Sequence, residues 1–402
     1  MQRRIDFSPP DIGQLEIDEV TAVLRSGWIT TGAKTRQLEQ ELAAFCGTRR
    51  VVCLNSATAA LELTLRVLGV GAGDEVITSP YTYSASASVI LHVGAVAVFV
   101  DTAPNSFLID YNQVEQAFTD KTKAIIGVDV AGMMCDYPRL IDIAQQKNAL
   151  FLPNSALQNT IGRAAVIADA AHSLGATANG QQSGCAADFT AFSFHAVKNL
   201  TTAEGGAATW RPAISIDDQT LYRQFSLLAL HGQSKDAFAK AEKGCWEYDI
   251  LIPGYKHNLP DVLAAIGVAQ LSRYPTLLAR RKQLVAQYNS VLCDSRFILP
   301  KHQTGHSESS RHLYPVRIKG CDEGRRNHII QSLSEKGIAA NVHYKPLPML
   351  TAYKTLGYRI ADYPNAFAQY QNEITLPLHT LLTDDDVTYI AQGLMDACDE
   401  VL

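Results

Sequence analysis

Ala165-Val-Ile-Ala-Asp169-Ala-Ala-His172-Ser-Leu-Gly175 is the stretch on which the reading of this chain turns. Four apolar residues run into an aspartate, and small residues and a histidine follow. This is the pattern of a short buried strand that ends on a carboxylate. Similar runs precede it. Glu75-Val-Ile-Thr-Ser79 passes from strand to loop, Ala95-Val-Ala-Val-Phe-Val100 ends at Asp101, and Ala124-Ile-Ile-Gly-Val-Asp-Val130 ends at Ala131-Gly132. Helical patterns separate the runs, which predicts βα units and an α/β fold with a mostly parallel sheet. Polar residues just past the strand ends of such sheets line the ligand crevice, so position alone makes Asp169 a site candidate.

Length and composition bound the rest. The chain has 402 residues, 47% hydrophobic and 19% charged, enough for a large core. Residues 261–292 have apolar positions at helical spacing, with Pro260 suited to a first turn and Pro275 expected to kink or divide the helix. This segment reads as a long helical connection. Residues 312–318, 323–336 and 338–343 then suggest a smaller α+β domain, so the expected division is 1–258 and 259–402. Lys plus Arg is 35 against 40 Asp plus Glu, a net charge of −5, which argues against broad nucleic-acid or membrane-surface binding. The eight cysteines form no C-x-x-C pair, no metal site is expected, and free thiols in a reducing compartment are the expectation. Residues 1–10 carry no apolar signal region, and residues 89–100, interrupted by His92, are too short to span a bilayer. A cytoplasmic enzyme is the natural default. Gly69-Val-Gly71-Ala-Gly73 precedes a strand instead of following one, so it is a turn and not a dinucleotide fingerprint.

Three further segments carry chemistry. Ser193-Phe-His-Ala-Val-Lys198-Asn199 is followed by Glu204-Gly-Gly206, and Leu54-Asn-Ser56-Ala-Thr58-Ala-Ala-Leu61 is a small polar loop entering a helix. With Asp169 these pieces suit pyridoxal phosphate. Lys198 would link to the cofactor aldehyde, and Asp169 would keep the pyridine nitrogen protonated. Small residues ahead of a helix let backbone N–H groups and the helix dipole reach a phosphate. Tyr83, in Pro80-Tyr-Thr-Tyr83, could lie against the ring face.

The sequence resembles the pyridoxal-phosphate-dependent sugar aminotransferases of the DegT/StrS type, which have the aspartate-aminotransferase fold (fold type I). The resemblance runs nearly end to end. It rests on Leu24-Arg-Ser-Gly-Trp-Ile-Thr-Thr-Gly32, Asn55-Ser-Ala-Thr-Ala-Ala-Leu61, Thr78-Ser-Pro-Tyr-Thr-Tyr83, Asp169-Ala-Ala-His172, the Ser193 to Asn199 segment, Glu204-Gly-Gly206, Gly254-Tyr-Lys-His-Asn258-Leu and His343-Tyr-Lys-Pro346. It implies that Lys198 is the cofactor-linked lysine and then the general base, with Asp169 on the pyridinium and His172 beside the ring hydroxyl. Ser193, Ala57 and Thr58 are implied as phosphate ligands and Tyr83 as the stacking ring. Asn258 is implied to reach the neighbouring subunit's cofactor phosphate, which makes a homodimer with shared active sites. One branch of the family replaces the lysine by His and removes a sugar hydroxyl. Lys198 therefore favours transamination, with L-glutamate as the implied donor, and His195 reads as a pocket or packing residue.

The chain departs from the family pattern at several places. Residues 150–163 form a longer insertion than most relatives carry, Ala203 stands where Gly is common, and Lys256 and Asn258 replace the commoner Asn and Arg. The insertion and the segment around Lys198 are similar to the branch that makes 8-amino-3,8-dideoxy-manno-octulosonate for lipopolysaccharide from the 8-oxo sugar acid. Arg163, Lys256, Arg311, Lys345 and the loop His231-Gly-Gln-Ser-Lys235 are basic candidates for an acidic acceptor. Trp28, Thr30 and Thr31 are expected at the substrate opening. His343 and Tyr344, with His312 and Tyr314, could close over it from the small domain, although packing explains Tyr314 equally well. The expected function is amino transfer to a keto or aldehyde sugar. The alternatives are a nucleotide-linked 4-keto or 3-keto deoxyhexose as acceptor, or a non-catalytic regulatory protein with the same fold.

Overall fold

Short apolar strands alternate with capped helices from residue 51 onward in the computed structural model, which describes residues 3–212, 214, 216–235 and 247–402. The strands are β1 (Val51–Leu54), β2 (Glu75–Thr78), β3 (Val96–Phe99), β4 (Thr122–Val128), β5 (Ala165–Asp169), β6 (Thr177–Ala178), β7 (Gln181–Gln182), β8 (Phe189–Ser193) and β9 (Gly206–Trp210). Seven of them form one sheet in the order β1-β9-β8-β5-β4-β2-β3. The pairs from β8 to β3 are parallel, and only β9 runs against its neighbours, β8 and β1. The strands expected at 75–79, 95–100, 124–130 and 165–169 are all present, with ends moved by a residue or two. The largest shift is in β4, which stops at Val128; Val130–Gly132 forms a tight turn with Ala131 at φ 58°.

Helices cover both faces of this sheet, so its strands are apolar on both sides. In β5, Val166 and Ala168 enter the core packed on the long helix, while Ala165 and Ile167 enter the core that holds Leu63 and Trp210. The helix Ala57–Leu68 starts where Ser56 Oγ accepts the Ala59 N–H at 3.0 Å.

The long helix Asp261–Val291 continues through Pro275, so the proline does not divide it. Tertiary packing outweighs the lost backbone hydrogen bond: Leu271, Tyr274 and Leu277 are buried around the proline, and the Tyr274 hydroxyl donates to the Leu174 carbonyl at 2.8 Å. By length and composition this helix could cross a membrane, but here it packs on the helices Gln14–Ser26, Ala33–Cys46 and Asp384–Val401.

Beyond it, β10 (Phe297–Ile298), β12 (Tyr314–Ile318) and β13 (Glu373–Leu376) form an antiparallel sheet against the helices Glu323–Glu335 and Asp384–Val401; β11 (Ser307–Glu308) joins β6 and β7 instead. Residues 338–343 form no strand, although Ile338 bridges Ile5 and Asn341 bridges Thr375. Tyr314 lies in this second core, stacked on Tyr288 with its hydroxyl 2.6 Å from Asn289 Oδ1, so it closes over nothing.

Residues 150–163 have a clear anchorage. Ser155 Oγ and Gln158 Nε2 donate to the Leu68 carbonyl at 2.7 and 2.9 Å, and Lys123 Nζ donates to the Leu152 carbonyl at 2.8 Å. Leu68 ends a helix and Lys123 lies near the start of β4, so the insertion packs at the sheet edge opposite Asp169. Next to it, Arg163 (4% exposed) donates both guanidinium nitrogens to Asp188 at 2.6 and 2.9 Å, and Arg211 pairs with the same carboxylate at 2.9 Å. Arg163 is thus a structural ion pair and not a substrate ligand. Removing one partner of a buried pair costs ~3–5 kcal/mol. Asp188→Ala is expected to lower the urea-unfolding free energy by about that amount.

Candidate active site

The carboxyl ends of β4, β5 and β8 and the start of the helix Ala57–Leu68 surround a cavity of about 640 Å³. Asp169, the last residue of β5, is 6% exposed. Ser86 Oγ donates to its Oδ2 at 2.6 Å and the Ala171 N–H to its Oδ1 at 3.2 Å. Burial raises this carboxyl above its usual range, while Ser86, Ala171 and the nearby Lys198 oppose the rise.

Lys198 follows β8 in a turn closed by its own N–H on the His195 carbonyl at 2.9 Å. Its side chain lines the cavity, and burial lowers the amine to about 8 against the opposing charge of Asp169. His172 accepts the Ala131 N–H on Nδ1 at 3.2 Å, which leaves its proton on Nε2, 3.0 Å from the Tyr344 hydroxyl. Burial and the Lys198 charge keep it neutral. Behind it, the His312 ring lies 4.3 Å away and its Nδ1 is 3.0 Å from Asn199 Oδ1. His312 is a buried support rather than a lid.

Ser56, Ala57, Thr58 and Ser193 line the opposite end with Gly205. A Cβ on Gly206 would lie 2.3 Å from the Ser56 carbonyl carbon and 2.5 Å from Ala57 N. Only glycine lets β9 run this close under the helix start, where unpaired N–H groups can hold an anion. Tyr83, 65% exposed, forms a wall with its ring 6.3 Å from that of Tyr344. His343 and Tyr344 also line the cavity, and His195 stands at its mouth with Nε2 3.7 Å from Glu204 Oε1.

These features fit pyridoxal 5'-phosphate: an amine of lowered pKa, a buried carboxylate held by two donors, an aromatic wall and a helix start whose N–H groups can take an anion. When bound, the cofactor supplies an electron sink for bonds at the substrate carbon.

Other expected residues lie elsewhere. Trp28, Thr30, Thr31 and Asn258 do not line the cavity. Asn258 Nδ2 donates to Thr31 Oγ1 at 2.7 Å, its Oδ1 takes the Lys256 ammonium, and Trp28 Nε1 donates to the Thr31 carbonyl at 3.2 Å. They form a second cluster beside Asp261, whose backbone N–H meets the Thr30 carbonyl at 3.2 Å. Lys256, Arg311, Lys345 and Lys235 also stay outside the cavity; Arg311 is buried against Glu308 at 3.0 Å.

Sequence reasoning missed Ser86 and Asp129. Asp129 follows β4 beside Asp169, and accepts from Ser173 Oγ and the Tyr137 hydroxyl at 2.6 Å each; burial raises it to about 7. The strand-end rule that picked out Asp169 applies equally to Asp129. No sequence signal marks Ser86, which reaches Asp169 across 83 residues.

Fold and site together define a pyridoxal-phosphate-dependent aminotransferase of fold type I. The chain belongs to the DegT/DnrJ/EryC1/StrS aminotransferase family, whose model matches residues 10–395. Among solved structures it is similar to "Putative sugar aminotransferase Spr1654" of Streptococcus pneumoniae in its PLP-form, 53% identical over 100% of both chains with a TM-score of 0.96. It is 28% identical to Helicobacter pylori PseC, an aminotransferase involved in pseudoaminic acid biosynthesis, over 99% of this chain and 100% of that one (TM-score 0.87). It is also 37% identical to the spore coat polysaccharide biosynthesis protein SpsC of Bacillus subtilis, over 98% of each chain. The chain is therefore an aminotransferase.

Gly206→Ala is expected to push the Ser56–Ala57 backbone aside. Titration of the apoprotein with pyridoxal phosphate should show at least about a tenfold weaker affinity, the equivalent of ~1.4 kcal/mol, with the fold retained.

Proposed function

We propose that the protein moves the amino group of L-glutamate to the carbonyl of a sugar. The observation that carries this reading is the convergence of Lys198 and Asp169 in one cavity with a phosphate cradle at its other end. Lys198 holds the cofactor and then carries the proton to and from the substrate carbon. Asp169 keeps a positive charge on the ring nitrogen, and His172 lies beside the ring hydroxyl. Ser193, Ala57 and Thr58 hold the phosphate, Tyr83 covers the ring face, and His343 and Tyr344 close the substrate side. Two protomers share their sites: Trp28, Thr30, Thr31 and Asn258, outside this chain's own cavity, serve the cavity of a second copy.

The acceptor is read as a nucleotide-linked keto deoxyhexose. Residues 150–163, which suggested 8-oxo-3-deoxy-manno-octulosonate and a role in lipopolysaccharide, lie across the sheet from the cavity, so that sugar acid becomes the second acceptor to assay. The names of SpsC and PseC support an amino-sugar product. The described cysteines are all free, which supports a reducing compartment such as the cytoplasm; Cys245 lies outside the described residues.

The purified holoprotein should be yellow. L-Glutamate should bleach it and release one equivalent of 2-oxoglutarate, and a keto sugar should restore the colour. Lys198→Ala should show no turnover. A colour that glutamate leaves unchanged overturns the donor assignment, and nucleotide sugars that leave the aminated protein unchanged while the octulosonate restores it reverse the acceptor order. Because burial disfavours the charged amine, the reactive neutral form of Lys198 grows about tenfold per pH unit up to about 8 and then saturates. The rate of cofactor uptake by the apoprotein should follow that curve, levelling far below the ordinary lysine range.

A further inference from the structure

His343 lines the cavity, yet its Nδ1 is turned away from it, 3.0 Å from Thr375 Oγ1. The ring is held in place from several sides. Phe7 stacks on it at 5.6 Å, Tyr344 meets its edge at 5.0 Å, and the Tyr81 hydroxyl donates to the His343 carbonyl at 2.9 Å. Behind Thr375 stands Glu373, 0% exposed on β13. Its Oε2 accepts the His343 backbone N–H at 2.9 Å, and its Oε1 takes the Thr375 hydroxyl. One buried carboxylate thus grips both the backbone of His343 and, through one hydroxyl, its ring.

We propose that Glu373 is a positioning residue that sets, through Thr375, which ring nitrogen of His343 carries the proton, and so whether His343 offers the substrate a hydrogen-bond acceptor or a donor. The inference rests on the reading of the cavity as the amino-transfer site. It follows from counting hydrogens. A threonine hydroxyl has one proton to give. When Glu373 is ionised, that proton goes to Oε1, and Thr375 must accept from His343 Nδ1–H. Nε2 is then a bare acceptor toward the cavity. When Glu373 is protonated, the proton sits on Oε1, because Oε2 already accepts the His343 N–H. It donates to Thr375, the hydroxyl turns to His343 Nδ1, and Nε2 carries the hydrogen. One proton on Glu373 inverts the hydrogen-bonding sense of His343 without charging the ring.

Burial drives the protonation of Glu373 against the nearby Arg326 charge. Glu373 faces Arg317 across the β12–β13 pair, and Arg326 Nη1 donates to its carbonyl at 3.1 Å. Tyr81, Tyr344, Lys198, His172 and His312 are the other titratable groups coupled to Glu373 or His343. Burial pushes Glu373 up to about 8, while burial and the Lys198 charge push His343 down to about 3. Near neutral pH the carboxylate is therefore the member that takes the proton. A sugar hydroxyl needs an acceptor, whereas a sugar carbonyl or a substrate carboxylate needs a donor. The relay lets one histidine serve both kinds of group.

The test is the His343 tautomer in the holoenzyme, read by two-bond proton–nitrogen correlations with 15N-histidine labelling and assigned through His343→Gln. Wild type should carry the proton on Nε2 at pH 6.5 and on Nδ1 at pH 9.5. Glu373→Gln has one workable orientation, its oxygen on the His343 N–H and its NH2 on Thr375, so Nε2–H should persist at both pH values. Thr375→Val should remove the pH dependence, and Thr375→Ser should restore it. In turnover, the ratio of wild-type to Glu373→Gln kcat/KM should change about tenfold between pH 7 and 9, the size of one inverted hydrogen bond. A wild-type tautomer that is the same at both pH values overturns the proposal, as does a Thr375→Val protein that still switches. The tautomer readout needs no sugar, so a switching His343 in a protein that aminates no sugar would overturn the functional reading and leave this inference standing.

Discussion

The buried carboxylate of Asp169 facing the Lys198 amine is the interaction on which the rest of the structure depends. A carboxylate out of water is stable only if it is fixed and hydrogen-bonded, and the nearby amine adds to its support. Asp169 meets that demand as the end of a fully buried strand, with Ser86 from one side and the Ala171 N–H from the other. Lys198 faces it from a tight turn at the end of the adjacent strand β8. The parallel sheet is what allows this, because its strand ends all open on one edge and bring residues from distant stretches together.

The same edge explains the other site features. β9 runs antiparallel beside β8, so Gly206 at its start lies next to Ser193 at the end of β8 and under the turn that begins the helix Ala57–Leu68. The insertion at 150–163 joins the opposite edge, anchored on Leu68 and Lys123, away from this chain's own cavity.

Much of the site was legible because cofactor chemistry needs particular residue types at particular strand ends. Asp169, His172, Ser193, Lys198, Ala57, Thr58 and Tyr83 all reach one cavity, joined by His343 and Tyr344. Basic residues were read less well. Arg163 looked free to meet an acid and is instead spent on Asp188, since a buried guanidinium requires a carboxylate and sequence does not show which one it finds. Pro275 was expected to kink or divide the long helix and does not divide it, because packing around Tyr274 holds the helix through the missing hydrogen bond.

What the sequence by itself determined is the alternation of strands and helices, the parallel sheet, the family, and the choice of Lys198 and Asp169 as the pair to look for in one cavity. These are local signals: periodicity, strand-end polarity and short motifs whose chemistry does not depend on distant partners. Only the tertiary structure decided that Ser86 supports Asp169, that Asn258 and Thr31 pair away from this chain's cavity, and that Glu373 reaches His343 through Thr375. Each of these is a contact between residues tens or hundreds of positions apart. Its geometry exists only once the sheets have been packed, so no spacing in the chain announces it.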